Sequence, residues 1–203
     1  MSGAAREAGG GLDREWIEAR ADAVLRALPE GVWDGRSLPV PIEAIVAEHF
    51  GLHVREVTDL TAAPGCPPLG EGQALSALLL PSEREIWVSA AEARAWPRRR
   101  RFSIAHEVGH WLLHRDGQQS LFCRRASIDE GADPGRADAD ARPELPLIER
   151  EAHAFASALL MPGDLLRHHY KAVDRDFHRL CEIFDSSMSA MGRRLHAAVP
   201  RSR

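Results

Sequence analysis

The sequence predicts an α+β fold in which a small sheet, of three or slightly more strands, packs on two helices that carry the candidate site. Apolar residues recur every three or four positions in several segments, which is the period of a helix that buries one face. Three short runs of mainly apolar residues, 52–57, 75–80 and 85–89, have the length of strands instead. The last two are joined by Pro81-Ser-Glu-Arg84, which is typical of a hairpin loop.

The predicted helices are bounded by residues that ordinarily start and stop helices. Asp13 is a plausible N-cap for the first helix and Pro29 ends it, while Pro97 opens the third and Met161 begins the stop of the fourth. The helices are predicted over residues 13–28, 42–50, 98–114, 147–160, 164–171, 174–184 and 188–197.

Composition narrows the class of protein. The chain has 203 residues, of which 44% are apolar and 28% charged, so it can bury a core of its own. No stretch approaches the roughly 20 apolar residues of a membrane span, and the first residues lack the apolar core of a signal peptide. The three cysteines are an odd, widely spread set, so we expect no disulfide framework and a cytoplasmic location. The net charge of −4 excludes a globally basic nucleic-acid binder, although it leaves room for a local basic face.

The string His106-Glu-Val-Gly-His110 lies in the middle of the third helix and predicts a metal site. Four residues of α-helix turn through about 400°, so the two imidazoles point the same way one turn apart. Two such imidazoles can bind a tetrahedral metal ion such as zinc. Glu107 is offset by one position, where it can act on a water molecule as the general base of a hydrolase.

A catalytic zinc ion takes three protein ligands, and the best third candidate is Glu149, which starts the other strong helix. His153 lies one turn further on the same face and could be the ligand instead. We favour a supporting role for it, in which it bonds a ligand imidazole or the metal-bound carboxylate. Glu149 could also simply complement the helix dipole. Glu151 points about 200° away from Glu149 and is expected to be exposed to solvent.

Four segments together resemble the ImmA/IrrE family of metallo-endopeptidases, over about residues 39–197. The matching strings are Pro39-Val-Pro-Ile-Glu43 with His49-Phe-Gly-Leu52, Arg101-Phe-Ser-Ile-Ala-His-Glu-Val-Gly-His-Trp-Leu-Leu-His114, Phe122-Cys-Arg124, and Glu149-x-x-Ala-x-x-Phe-Ala-x-x-Leu-Leu-Met-Pro162. The resemblance implies a zincin-like fold in which His106, His110 and Glu149 bind the metal and Glu107 is the general base. The family commonly has Asn at the position of His153.

The resemblance also implies an activity and a partner. We expect a cytoplasmic endopeptidase that uses Zn²⁺, with Mn²⁺ as an alternative, and whose substrate is a separate helix-turn-helix repressor of the XRE type, in stress or mobile-element regulation. The developing oxyanion needs a second donor, for which Tyr170, His168 and His169 are candidates. These three side chains could equally be exposed helix residues without a catalytic role.

The expected organisation is a disordered tail over residues 1–12, a zincin-like metallopeptidase domain over 13–163 with a polar loop over 124–142, and a helical segment over 164–203. The last segment resembles a helix-turn-helix, and Arg193 and Arg194 lie where a recognition helix would present them. An alternative function is therefore a DNA-binding or protein-binding transcriptional regulator that uses the peptidase-like domain as a scaffold. We favour a covering role for these helices, because a local charge of about +3 is weak for DNA binding.

Overall fold

The computed structural model describes residues 11–64, 66, 69, 73–114, 121–126 and 146–198, which form an α+β fold as predicted. Residues 1–10 of the predicted tail and residues 127–142 of the predicted polar loop lie outside the described residues. The helices are α1 (Arg14–Arg26), α2 (Ile42–Ala44, continued by a π-helical turn at Ile45–His49), α3 (Ala90–Ala95), α4 (Pro97–Leu113), α5 (Leu147–Leu160), α6 (Gly163–Ala172), α7 (Phe177–Ile183) and α8 (Met188–Ala198).

Within the part of the chain that the structure describes, the sheet has four strands in the order β1-β3-β2-β4, of which β1 and β3 run parallel and the other neighbours antiparallel. The strands are β1 (His53–Val57), β2 (Gln73–Leu80), β3 (Glu85–Ser89) and β4 (Leu121–Ala126). The predicted hairpin joins β2 to β3, and Arg84 in its turn has a φ of 56°. The predicted start of the polar loop at residue 124 is wrong, because residues 124–126 belong to strand β4.

Both faces of strand β2 are buried. Ala77 and Leu79 face the main core, which contains the apolar faces of α4 and α5. Leu78 and Leu80 face a smaller cluster that includes Leu60. This arrangement follows from the alternation of side chains along a strand. The sheet therefore forms a rigid support for α4, the helix that carries the His-Glu-x-x-His motif.

Helices α4 and α5 touch each other at the backbone. A Cβ atom added to Gly109 would lie 3.0 Å from Cα and 3.1 Å from the carbonyl oxygen of Ala152, which is tighter than most Cβ contacts and would require the backbone of α5 to shift. The glycine inside the motif thus lets α5 approach α4, and the small Ala152 meets it on the other side. This close approach brings the start of α5 to the imidazoles of α4.

The C-terminal helices share the main core with the rest of the chain. Leu166, Leu180 and Met191, from α6, α7 and α8, are fully buried in it. Arg194 of α8 is also buried, pairs with Glu18 of α1 and donates to the carbonyl oxygen of Met161 at 2.9 Å. This side chain therefore holds α8 against α1 and is not presented to solvent as a recognition helix would require.

The packed part of the chain begins before the predicted boundary at residue 13. Gly11 is buried, and the backbone N–H of Leu12 donates a hydrogen bond to the carboxylate of Glu151 at 2.6 Å. Asp13 caps α1 as predicted, because its carboxylate accepts from the N–H groups of Glu15 and Trp16. Residues 11 and 12 are thus part of the fold, unlike the disordered residues expected there.

Gly109→Ala is expected to destabilise the protein by about 1–3 kcal/mol, because the added methyl group must push α5 away from α4. Urea denaturation checks this value. Gly192→Ala is the matched control, since the nearest atom to its added Cβ is a ring carbon of Phe177 at 3.9 Å, an ordinary contact. The control should be neutral or should stabilise α8 by up to about 1 kcal/mol. Equal effects of the two substitutions would contradict the close-packing account.

Candidate metal centre

Helix α4 places two imidazoles side by side inside the protein. His106 and His110 are one turn apart and are 1% and 0% exposed. Their Nε2 atoms are 3.0 Å apart, and their rings are nearly perpendicular at 87°. The spacing of the motif thus has the consequence predicted for it, since both Nε2 atoms point to one place.

The first turn of α5 brings a carboxylate to the same place. Glu149 Oε2 lies 3.1 Å from His106 Nε2, and its Oε1 lies 3.2 Å from His110 Nε2. His106, His110 and Glu149 form a group whose donor atoms all lie within 4.8 Å of one another and which could hold a metal ion. Of the two candidates for a third ligand, Glu149 is the one that lies against both Nε2 atoms.

The donor set fits zinc in kind and in spacing. Two ligand atoms of a tetrahedral zinc ion with bonds of about 2.0–2.1 Å are about 3.3 Å apart. The distances of 3.0 to 3.2 Å between the three donors are close to this separation. Two imidazoles and one carboxylate also form the usual ligand set of a catalytic zinc site that keeps its fourth position open.

The electrostatics favour a neutral His106 beside an ionised Glu149. Burial lowers the pKa of His106 to about 3, although the hydrogen bond with Glu149 acts in the opposite direction. Burial raises the pKa of Glu149, but the hydrogen bonds with His106 and His110 outweigh it, so this pKa lies well below its usual value. At neutral pH His106 is therefore uncharged and keeps a lone pair, which metal binding requires.

Glu107 lies between the two histidines in sequence and is fully buried. Neither of its carboxylate oxygens accepts a hydrogen bond within the part of the chain that the structure describes. Burial raises the pKa of Glu107 well above its usual value, and the negative charge of Glu149 raises it further. A buried, unpartnered carboxyl with a raised pKa is the kind of group that exchanges a proton during a reaction.

His153 contacts the site in a different way from the prediction. Its Nδ1–H donates to the backbone carbonyl of Glu149 at 2.8 Å, one turn back along α5. Its ring lies edge-on to His106, with the two ring centres 4.5 Å apart. The hydrogen bond therefore goes to the backbone of Glu149 rather than to its carboxylate or to a ligand imidazole, and His153 supports His106 by packing.

The oxyanion candidates lie on α6. The ring of His169 is edge-on to Phe184, with centres 5.8 Å apart, and is 5.2 Å from the ring of His168. Tyr170 is half-buried and packs on the main core. Their proposed share in catalysis stays a prediction.

Two further residues lie near the site, and one of them, Glu151, differs from its prediction. Glu151, expected to be exposed, is 7% exposed and lies 2.7 Å from Nε2 of His114. His114 ends α4, and its Nδ1 lies 3.1 Å from Nδ1 of His110. Burial lowers the pKa of His114, and the bond with Glu151 only partly offsets this. The spacing of four residues repeated from His106 to His110 to His114 was the signal that could have revealed this contact.

Comparisons with known proteins agree with this geometry. A family model described as the IrrE N-terminal-like domain, Peptidase_M78, matches residues 90–196, which is more than half of the chain. A solved Mycobacterium tuberculosis transcriptional regulator has a TM-score of 0.54 and 15% identity, over 92% of this chain and 48% of that chain. The chain thus spans about half the length of that protein, and the likeness concerns the fold alone. No curated protein matches the chain significantly.

None of the helices within the described ranges combines the length and the apolar character that are needed to cross a lipid bilayer.

Glu107→Gln is expected to stabilise the metal-free protein, and more so as the pH rises. The folded pKa of Glu107 is raised above the usual value of 4.5, so its protonated form stabilises the fold at low pH and this contribution is lost as the pH rises above that value. Urea denaturation of both proteins with a chelator, between pH 5 and pH 8, measures the difference. Parallel stability curves for variant and wild type would contradict the assignment.

Proposed function

The chain belongs to the Peptidase_M78 family of IrrE N-terminal-like domains, and on this premise we propose that it is a zinc-dependent endopeptidase. The observation that carries the proposal is the pairing of a two-histidine, one-carboxylate site with the buried Glu107, whose carboxylate has no hydrogen-bond partner among the described residues. A site that only stored or sensed a metal would need the three ligands but not Glu107. Burying such a group lowers the stability of the fold, and proteins retain groups of this kind mainly at functional sites.

In the proposed reaction, His106, His110 and Glu149 would hold the ion. A zinc ion bound there would polarise the scissile carbonyl group and lower the pKa of a water molecule to about 7. Glu107 takes the proton of the attacking water and passes it to the leaving amine, so its raised pKa suits a group that must hold that proton between the two steps. The negative charge of Glu149 contributes to this raised pKa.

Zinc is favoured over manganese by the chemistry of the donors. Two buried imidazoles are ligands that suit zinc, whereas manganese prefers carboxylates and water. Mn²⁺ is the alternative cofactor because Glu149 supplies an oxygen ligand.

We propose a regulatory protein as the substrate, specifically a separate XRE-type helix-turn-helix repressor, in stress or mobile-element regulation in the cytoplasm. This choice rests on the resemblance of the chain to the ImmA/IrrE metallo-endopeptidases. The fold neighbour described as a transcriptional regulator is consistent with a role in gene regulation.

A transcriptional regulator that binds DNA is the second candidate, and that same neighbour favours it. The burial of Arg194 argues against DNA binding by α8. This side chain is 2% exposed and already bonds to Glu18 and to the carbonyl oxygen of Met161. Arg193 is exposed and bonds to Ser189 of its own helix. One exposed arginine on α8 is a weak basis for contacts with DNA.

Glu107→Gln should keep the metal and lower repressor cleavage by about 10²–10⁴-fold, because the amide cannot accept the proton of the attacking water. The measurement is gel analysis of purified protein incubated with the candidate repressor, beside metal analysis of the same samples. Glu92→Gln is the matched control, since Glu92 is a buried carboxylate that pairs with Arg99 at 3.1 Å. Full cleavage by the Glu107 variant would refute the peptidase mechanism.

His106→Ala should reduce bound zinc from about one ion per chain to nearly none, because two donors cannot hold the ion at the affinity of three. Metal analysis after dialysis against a weak chelator measures this. His178→Ala is a suitable control, since His178 is exposed on α7. Equal zinc content in the two variants would place the metal elsewhere.

If the chain binds DNA through α8, Arg193→Ala should weaken binding and reduce its dependence on salt. We expect instead no binding by the wild type in a fluorescence-anisotropy titration at low salt. Saturable binding that Arg193→Ala weakens would favour the regulator over the peptidase.

A further inference from the structure

A chain of hydrogen bonds runs from the N-terminal segment to one of the candidate metal ligands. The backbone N–H of Leu12 donates to Glu151 Oε1 at 2.6 Å, and Glu151 Oε2 lies 2.7 Å from His114 Nε2. His114 Nδ1 in turn lies 3.1 Å from His110 Nδ1. The proposed reaction uses neither Glu151 nor His114, although both side chains are at least nine-tenths buried.

The direction of each hydrogen bond can be worked out from the Glu151 end. A backbone N–H can only donate, so Oε1 of Glu151 accepts. Oε2 faces a ring nitrogen, and a carboxylate is a weaker base than an imidazole, so the shared proton resides on Nε2 of His114. Glu151 therefore accepts at both oxygens.

The remaining polarity follows along the chain. A neutral His114 with its proton on Nε2 has a lone pair on Nδ1, so it accepts from His110. His110 then carries its proton on Nδ1, which leaves a lone pair on Nε2. That Nε2 atom is the one that lies 3.0 Å from His106 Nε2 and 3.2 Å from Glu149 Oε1. The opposite polarity would put a proton on Nε2 of His110 and block metal binding there.

We propose that Glu151 and His114 are positioning residues that hold His110 in the tautomer and orientation that bind the metal, and that Leu12 fixes Glu151 for this task. The proposal rests on the proposed function, because it takes His110 as a ligand. Outer carboxylates commonly orient ligand imidazoles, here through a second imidazole. His106 differs, since its Nδ1 has no hydrogen-bond partner within the described ranges.

An isosteric substitution separates this role from simple packing. In Glu151→Gln the side chain has one oxygen and one NH₂ group, but the metal-bound state presents it with two donors, Leu12 N–H and His114 Nε2–H. One donor must then face the NH₂ group whichever way the amide turns. We expect zinc affinity to fall by about tenfold to a hundredfold.

The experiment measures zinc affinity by competition with a chelating dye, with circular dichroism to confirm that each variant is folded. Glu92→Gln, which removes the charge of another buried carboxylate, is the control and should bind zinc as the wild type does. His114→Leu should also weaken binding, because it removes the acceptor for His110 Nδ1–H. Wild-type affinity in both Glu151→Gln and His114→Leu would overturn the proposal.

The double variant tests whether Glu151 affects zinc binding through His114. If Glu151 acts through His114, Glu151→Gln should cause no further loss of zinc affinity in the His114→Leu protein. Independent packing effects would instead multiply, and that result would overturn the proposal.

A spectroscopic measurement keeps the proposal testable even where a variant does not fold. Long-range ¹H–¹⁵N spectra of the zinc-loaded wild type should show His114 protonated at Nε2 and His110 at Nδ1. A proton on Nδ1 of His114 would overturn the assignment. If the wild type binds zinc with these tautomers but cleaves no protein, the proposed peptidase function fails while the positioning role stands.

Discussion

The close contact between α4 and α5 is the constraint on which the site depends. The metal-binding group needs two donors from one helix and a third from another, and the absence of a side chain at Gly109 lets Ala152 of α5 lie close against the helix that carries the first two. The sheet and the C-terminal helices hold the pair in place from either side, since their apolar residues share the core with both helices. The fold thus brings the donor atoms of His106, His110 and Glu149, which are spread over two helices, close enough to bind one ion.

Burial of so many ionisable groups shapes the chemistry of the site. Burial keeps His106 neutral, and hydrogen bonds from the two histidines keep Glu149 ionised, so both groups are in the form that binds a metal ion. Glu107 is left as the one member of the site whose carboxyl has neither a cation nor a donor beside it among the described residues. Burying this carboxyl lowers the stability of the fold, which is consistent with a role for Glu107 in proton transfer.

Much of this site could be predicted from the sequence, because helical periodicity relates residues on one face directly. The motif in α4 and the cap at Asp13 are local patterns, and Asp13 caps α1 as predicted. Glu149 is far from the motif in sequence and was predicted because a third ligand was needed and by the family resemblance; the structure places it with His106 and His110 in a group that could hold a metal ion. Strand β4 was missed because it holds charged residues and is set by pairing with β2 rather than by its own composition.

Long-range polar contacts were the other features that local patterns could not reveal. Glu151 looked exposed because helical geometry places it away from Glu149, yet His114 and the N-terminal segment cover that side of α5. The arginines 98–101 form a run of like charge in the sequence, yet each pairs with a carboxylate distant in sequence or on a neighbouring helix. These carboxylates are Asp185, Glu92, Glu43 and Glu56. Such pairs form only in the tertiary fold, so they cannot be predicted from local patterns in a single sequence.

The visible absorption spectrum of the cobalt-substituted protein tests the central claim most directly, because band intensity reports the coordination number of the ion. The account predicts intense bands of a four-coordinate cobalt ion that saturate at one equivalent per chain and are lost in Glu149→Ala. A weak six-coordinate spectrum, or an intense one that Glu149→Ala leaves unchanged, would contradict the convergence of α4 and α5 on a single ion.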